Sequence, residues 1–190
     1  MSRETEAVIF SGFGGQGVMS MGKMIAYSGM LENKEVSWLP SYGPEMRGGT
    51  ANCSVIVSEK QIGSPIITKN ATSVIAMNLP SLKKFEHSLI KGGLLLINSS
   101  LVSEKCERED VETHYVPAND IALEKCGSVK VANMVMLGAY LELNKVVKQE
   151  TLMNSFLKVF GENKKEMLPL NEKALELGRE FIKKERENVR

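Results

Sequence analysis

Apolar residues in the first part of the chain fall into short runs, and their period changes at one glycine-rich point. Residues 6–11 form a compact apolar run around Ala7-Val8-Ile9-Phe10, whereas Val18, Met21, Met24, Ile25 and Ser28 recur at three-to-four spacing through residues 18–31. This pattern predicts a strand followed directly by a helix. A second strand is predicted over residues 35–39. A half-exposed one follows over residues 51–59, where Asn52 and Ser54 alternate with Cys53, Val55 and Val57. The Lys60-Gln61-Ile62-Gly63-Ser64-Pro65 turn before Ile66-Ile67 suggests a β-hairpin inserted into an otherwise βα pattern. Residues 73–78 and 94–98 read as buried strands. The helix between them begins at Pro80, runs to about residue 90 and is stopped by Lys91-Gly92-Gly93. Apolar runs on both sides of a crossover helix predict a parallel sheet covered on both faces.

Further along, residues 102–110 are polar and read as a loop, and residues 113–117 as a strand. Ala118-Asn119-Asp120 is expected to cap a short helix ending at Cys126. The next helix, residues 129–143, carries apolar side chains on nearly every face (Val131, Met134, Val135, Leu137, Ala139, Tyr140), so it is expected to be buried in the domain or in an interface. Helices over residues 149–160 and 171–186, separated near Gly161-Glu162-Asn163, complete a single α/β domain over residues 1–190, with a mostly parallel sheet, helices on both faces and the hairpin insertion.

Two loops carry the candidate chemistry. Ser11-Gly12-Phe13-Gly14-Gly15-Gln16-Gly17 joins the first strand to the first helix, and Gly12, Gly14 and Gly17 have G-x-G-x-x-G spacing. Such a turn aims backbone N–H groups and a helix N-terminus at a phosphate or carboxylate, the alternative being a tight crossover that binds nothing. A nicotinamide site would require an acid at the end of the second strand, and that strand runs out at Leu39-Pro40 with Glu35 at its start. The second loop, Pro40-Ser41-Tyr42-Gly43-Pro44-Glu45-Met46-Arg47-Gly48-Gly49-Thr50, is expected beside the first. Arg47 can fork onto a phosphate or carboxylate, contact a partner subunit, or pair with Glu45 inside the loop.

With 24 basic and 23 acidic side chains, the net charge of +1 argues against nucleic-acid or membrane-surface binding. The charged N-terminus leaves no room for a signal peptide, and no apolar run is long enough to span a bilayer, so a cytoplasmic protein is expected. Three cysteines, Cys53, Cys106 and Cys126, without a C-x-x-C pair define neither a disulfide framework nor an iron–sulfur site. The chain has no P-loop lysine and no G-x-S-x-G elbow. His87 and His114 lack His, Cys or carboxylate neighbours at metal-ligand spacing and read as structural or exposed. Met19, Met21 and Met46 are candidates to face a partner.

Gly12-Phe13-Gly14-Gly15-Gln16-Gly17-Val18 together with Ser41-Tyr42-Gly43-Pro44-Glu45-Met46-Arg47-Gly48-Gly49 resembles the gamma subunit of the 2-oxoacid:ferredoxin oxidoreductases, in a form similar to the 2-oxoglutarate and branched-chain 2-oxoacid enzymes. Ile62-Gly63-Ser64-Pro65, Met77-Asn78-Leu79-Pro80-Ser81, Asn98-Ser99-Ser100 and the Asn133-Met134 pair are also similar; the likeness covers roughly residues 8–143, and the last forty-odd residues carry little of it. The resemblance implies a Rossmann-like domain, inactive alone, in a hetro-oligomer with alpha-, beta- and delta-type subunits that passes electrons to ferredoxin. Thiamine diphosphate, coenzyme A and iron–sulfur clusters would serve the complex, the clusters on other subunits. Gly12, Gly14, Gly15, Gln16, Gly17, Ser41, Tyr42, Glu45, Arg47, Gly48, Gly49 and Asn133 would then border a shared coenzyme A/thiamine diphosphate site. The alternatives are an indolepyruvate oxidoreductase beta-type subunit, a free-standing nucleotide-binding enzyme, and a purely structural assembly subunit.

Overall fold

The computed structural model describes residues 4–41 and 50–188. Strands β1 (Thr5–Phe13), β2 (Glu35–Ser41), β3 (Thr50–Ser58), β4 (Ala71–Ala76), β5 (Leu89–Asn98) and β6 (Glu112–Val116) form one sheet in the order β2-β3-β1-β4-β5-β6. β1, β4, β5 and β6 are mutually parallel, while β3 runs antiparallel to both β1 and β2. The inserted hairpin is therefore β2–β3, whose strand ends flank residues 42–49, and not a pairing through Ile66-Ile67, which lie outside any strand. β3, expected to be half-exposed, is buried on both faces because it lies between β1 and β2: Cys53, Val55 and Val57 enter the larger core, and Asn52, Ile56 and Ser58 are buried as well.

Alternation also sorts the two layers. Val8, Phe10, Ile75, Met77, Leu94 and Leu96 point to one face, where helices α1 (Val18–Leu31), α3 (Ala118–Cys126), α4 (Ala132–Leu143), α5 (Gln149–Phe160) and α6 (Leu168–Asn188) form the larger core. Ile9, Val74, Ala76, Leu95 and Ile97 point to the other, where α2 (Leu79–Phe85) and part of the loop after β5 form a smaller one. Helices do cover both faces, very unequally. α4 is buried on all sides because it lies between the sheet and α6, which settles its burial within the domain. The described C-terminal helix α6 thus belongs to the main core, through Ala174, Leu175 and Ile182.

Several boundaries differ from the sequence expectation. The helix after Pro80 ends at Phe85, followed by a single 3-10 turn, Glu86–Ser88. Lys91-Gly92-Gly93 lies inside β5, where Gly92 at φ 68° takes up a register shift against β4. Asn119 does not cap α3: Pro117 is the capping position, and Asn98 at the end of β5 accepts from Ala118 N at 3.3 Å. Among the described residues, no helix is long and apolar enough to cross a membrane.

Candidate functional site

The carboxyl ends of β1 and β4 are neighbours, and the helices that leave them, α1 and α2, pass to opposite faces of the sheet. This divergence opens a crevice at the strand ends, the usual ligand position in open α/β sheets. β2 ends at Ser41 and β3 begins at Thr50, which is in register with Phe13, so both strand ends flanking residues 42–49 lie at this same edge. Tyr42, Glu45, Arg47, Gly48 and Gly49 themselves lie outside the described residues.

The glycines of the turn do different work. A Cβ on Gly12 would come within 2.7 Å of Gln16 Oε1 and 2.9 Å of both Met77 Cβ and Val18 Cγ1. Gly17 caps α1 at φ 76°, and a Cβ there would sit 2.5 Å from Asn133 Nδ2. These two positions are closed by the protein's own atoms, so the close approach they permit is of the turn to the end of β4 at Gly12 and to α4 at Gly17, not of a ligand to the backbone. Gly15, at φ 91°, faces open space, and Gly14 is exposed. The mouth of the turn is therefore Gly14 and Gly15.

Gln16 is turned inward. Its Oε1 accepts from Phe13 N at 2.6 Å and from Asn78 Nδ2 at 3.1 Å, and its Nε2 donates to Met77 O at 3.3 Å. The side chain braces the turn against the end of β4. Asn78 in turn caps α2 by accepting from Ser81 N at 2.9 Å, and Ser11 donates to Ser81 at 2.9 Å. This chain of buried polar contacts fixes the β1 and β4 ends relative to each other; Asn78 and Ser81 were missed as site residues because their partners are more than sixty positions away in sequence. Asn98, at the end of β5, extends the polar edge by donating to Asn119 at 2.9 Å.

No side chain caps the N-terminus of α1. Its first turn consequently offers backbone N–H groups and the positive end of the helix dipole at the crevice, beside the Asn133 amide. Such donors suit a phosphate in type, and the Cβ position of Gly15 faces open space. The described turn itself, residues 13–20, contributes no Lys or Arg. An iron–sulfur cluster does not fit this chain: it has three cysteines, and Cys53 is fully buried in the larger core, its thiol pushed up to about 12 by burial. Of the methionines near the loops, Met21 is core, Met19 half-buried, and Met46 lies outside the described residues.

Fold and crevice together define an α/β domain of Rossmann-like type with an uncapped helix N-terminus at its switch point. The profile of the pyruvate ferredoxin/flavodoxin oxidoreductase family matches residues 7–181, and the chain belongs to that family. The match extends through α5 and most of α6, well beyond the residue 143 expected from sequence motifs. The chain is 37% identical over 182 residues to ketoisovalerate oxidoreductase subunit VorA of Methanothermobacter thermautotrophicus, covering 96% of this chain and 37% of that protein. It therefore spans little more than a third of that relative's length. It is 34% identical over 149 residues to 2-oxoglutarate synthase subunit KorC of Methanocaldococcus jannaschii, covering 77% of this chain and 79% of that one. The solved keto/oxoacid ferredoxin oxidoreductase gamma subunit of Geobacter sulfurreducens is similar with a TM-score of 0.79 and 30% identity, over 93% of this chain and 98% of that one.

Proposed function

We propose that this chain is the gamma-type subunit of a cytoplasmic 2-oxoacid:ferredoxin oxidoreductase and helps to seat the diphosphate of coenzyme A or thiamine diphosphate in a site completed by alpha-, beta- and delta-type subunits. The observation that carries this reading is the uncapped α1 N-terminus, opening over Gly14 and Gly15 at the edge where β2 ends and β3 begins. Relatives named for ketoisovalerate and for 2-oxoglutarate support a branched-chain 2-oxoacid or 2-oxoglutarate as substrate and favour this reading over an indolepyruvate enzyme.

In such a complex the thiamine cofactor supplies carbanion stabilisation, and clusters elsewhere carry the electrons. This chain's residues act by position. The Gln16 brace keeps the turn at a fixed distance from β4, Gly17 and Asn133 set the angle at which α1 leaves the sheet, and Arg47 supplies the guanidinium that the described turn lacks. The internal use of Gln16 also supports the second reading, in which the turn serves assembly alone.

Reconstituted complex separates the two. Arg47→Ala and Asn133→Ala should raise the KM for coenzyme A or thiamine diphosphate while the subunits still co-elute. Loss of co-elution with unchanged KM in the residual complex would favour the assembly role. Unchanged assembly and turnover in Arg47→Ala and Gln16→Ala alike would sink both.

A further inference from the structure

At the opposite, amino edge of the sheet, Glu86 opens the 3-10 turn between α2 and β5. Its carboxylate is 1% exposed, although the next residue, His87, has a side chain 65% exposed. One oxygen is satisfied: Oε2 accepts from Glu107 N at 3.2 Å and from the Cys106 thiol at 3.4 Å. The other, Oε1, is buried and has no hydrogen-bond partner among the described residues; His87 Nε2 stands 3.9 Å from it. A buried carboxylate oxygen left in this state is costly unless a cation or proton meets it.

The nearby cations have other partners. Arg108 forks onto Asp110 at 2.8 and 2.7 Å and gives Nη1 to the carbonyls of Glu86 and Leu89. Lys83 bridges Glu104 at 3.0 Å and Glu107 at 2.7 Å. Because Lys83 has Glu104 as a second acceptor, Glu107 can turn from it without leaving the ammonium unpaired.

One ligand atom each from Glu86, His87 and Glu107 lie within 4.8 Å of one another. Two carboxylate oxygens and an imidazole nitrogen suit a first-row divalent cation and are poor for magnesium, which prefers an all-oxygen shell. We propose that Glu86, His87 and Glu107 bind a divalent transition cation of the zinc type, with water completing its shell. The ion would supply the missing partner of Glu86 Oε1 and clamp the loop after β5, through Glu107, onto the turn that precedes β5. Its place at the amino edge puts it at the far end of the strands from the glycine turn, so its role is structural.

The test uses the full chain freed of metal by chelation and titrated with Zn²⁺ by calorimetry and with Co²⁺ by visible absorption. One saturable ion per chain is expected, with Co²⁺ bands in the visible and a rise in thermal midpoint on Zn²⁺ addition. His87→Ala, at an exposed position that leaves the fold intact, should weaken binding about tenfold or more and remove both the bands and the midpoint shift. Glu86→Gln should do the same, while His114→Ala should bind as the unaltered chain does. Absence of saturable binding, or binding that survives His87→Ala or is lost in His114→Ala, would overturn the assignment.

Discussion

Gly138 on α4 and Gly178 on α6 bring two helix backbones into direct contact: a Cβ on Gly138 would lie 1.9 Å from Leu175 O, and one on Gly178 would lie 1.9 Å from Val135 O. The contact is reciprocal, so each glycine admits the other helix's carbonyl. This is why α6, amphipathic and mostly charged outside, can sit close enough to bury α4 from Ala132 to Leu141.

Replacing either glycine with alanine should therefore push α6 outward and cost about 3 kcal/mol, at the upper end of ordinary overpacking effects. The double variant should cost less than the sum, because one added methyl already separates the helices. Urea unfolding of the single and double variants measures both; additive losses would show that the two glycines act independently.

At the glycine turn, Gly15→Ala and Gly17→Ala should separate conformational strain from steric overlap. Gly15 has positive φ but open space, so alanine there should cost about 1–2 kcal/mol. Gly17 has positive φ and the Asn133 amide in the way, so its substitution should cost more and move α1 relative to α4. Chemical denaturation gives the ranking, and equal costs would remove Asn133 from the packing role assigned to it.

Much of this was legible from the chain itself. The β1–turn–α1 unit, α5 and the all-round burial of α4 follow from local period and glycine placement, which depend on neighbours within a few residues. What escaped was determined at long range. Gly92-Gly93 reads as a helix stop until β4 is alongside to pair across the bulge. Asn98, at the end of β5, accepts from the first N–H of α3 across 20 positions of sequence, so local spacing pointed to residues 118–120 instead. Likewise His87 shows no ligand spacing in sequence, since Glu107 reaches it only through the folded loop after β5. The glycine turn was recognisable as a strand-to-helix turn, but its inward and outward positions were not, because they depend on Met77, Asn78 and Asn133.

Thiol reactivity should follow burial. Cys53 donates to Val18 O at 3.4 Å inside the larger core, and burial first of all, against an opposing Trp38 contact, pushes its thiol up to about 12. Cys106 is also raised, chiefly by partial burial. With an aromatic disulfide reagent at about pH 8, Cys126 should label first, Cys106 more slowly and Cys53 only as the protein unfolds. Rapid labelling of Cys53 in a Cys106→Ser/Cys126→Ser chain would contradict the packing of α1 on β3.

The β6–α6 contact should weaken in acid. His114 lies between Glu112 at 3.0 Å and Glu185 at 2.5 Å. His114 first, then Arg186, hold Glu112 below its ordinary value of 4.5 in the folded chain. A carboxylate lowered on folding stabilises the protein above its unfolded value, and that contribution disappears as pH falls through the folded one. The stability difference between the unaltered chain and Glu112→Gln should thus be full at neutral pH, shrink as pH falls below 4.5 and be lost once the folded-state carboxylate is itself protonated, as read in urea titrations. A difference that persists undiminished in acid would mean that the Glu112 charge has no part in holding α6.

The central position of β1 also governs how the chain can assemble as it is made. β1 precedes both of its sheet neighbours in the chain: β3, reached at Thr5 opposite Ser58, and β4, reached at Val8 opposite Ser73. The β2–β3 hairpin, whose strands adjoin in sequence, can close first, and β1 must then join it with α1 already in tow. Until residues through Ala76 have been synthesised, Val8-Ile9-Phe10 remains an apolar strand open on at least one edge, and so available for pairing with other chains.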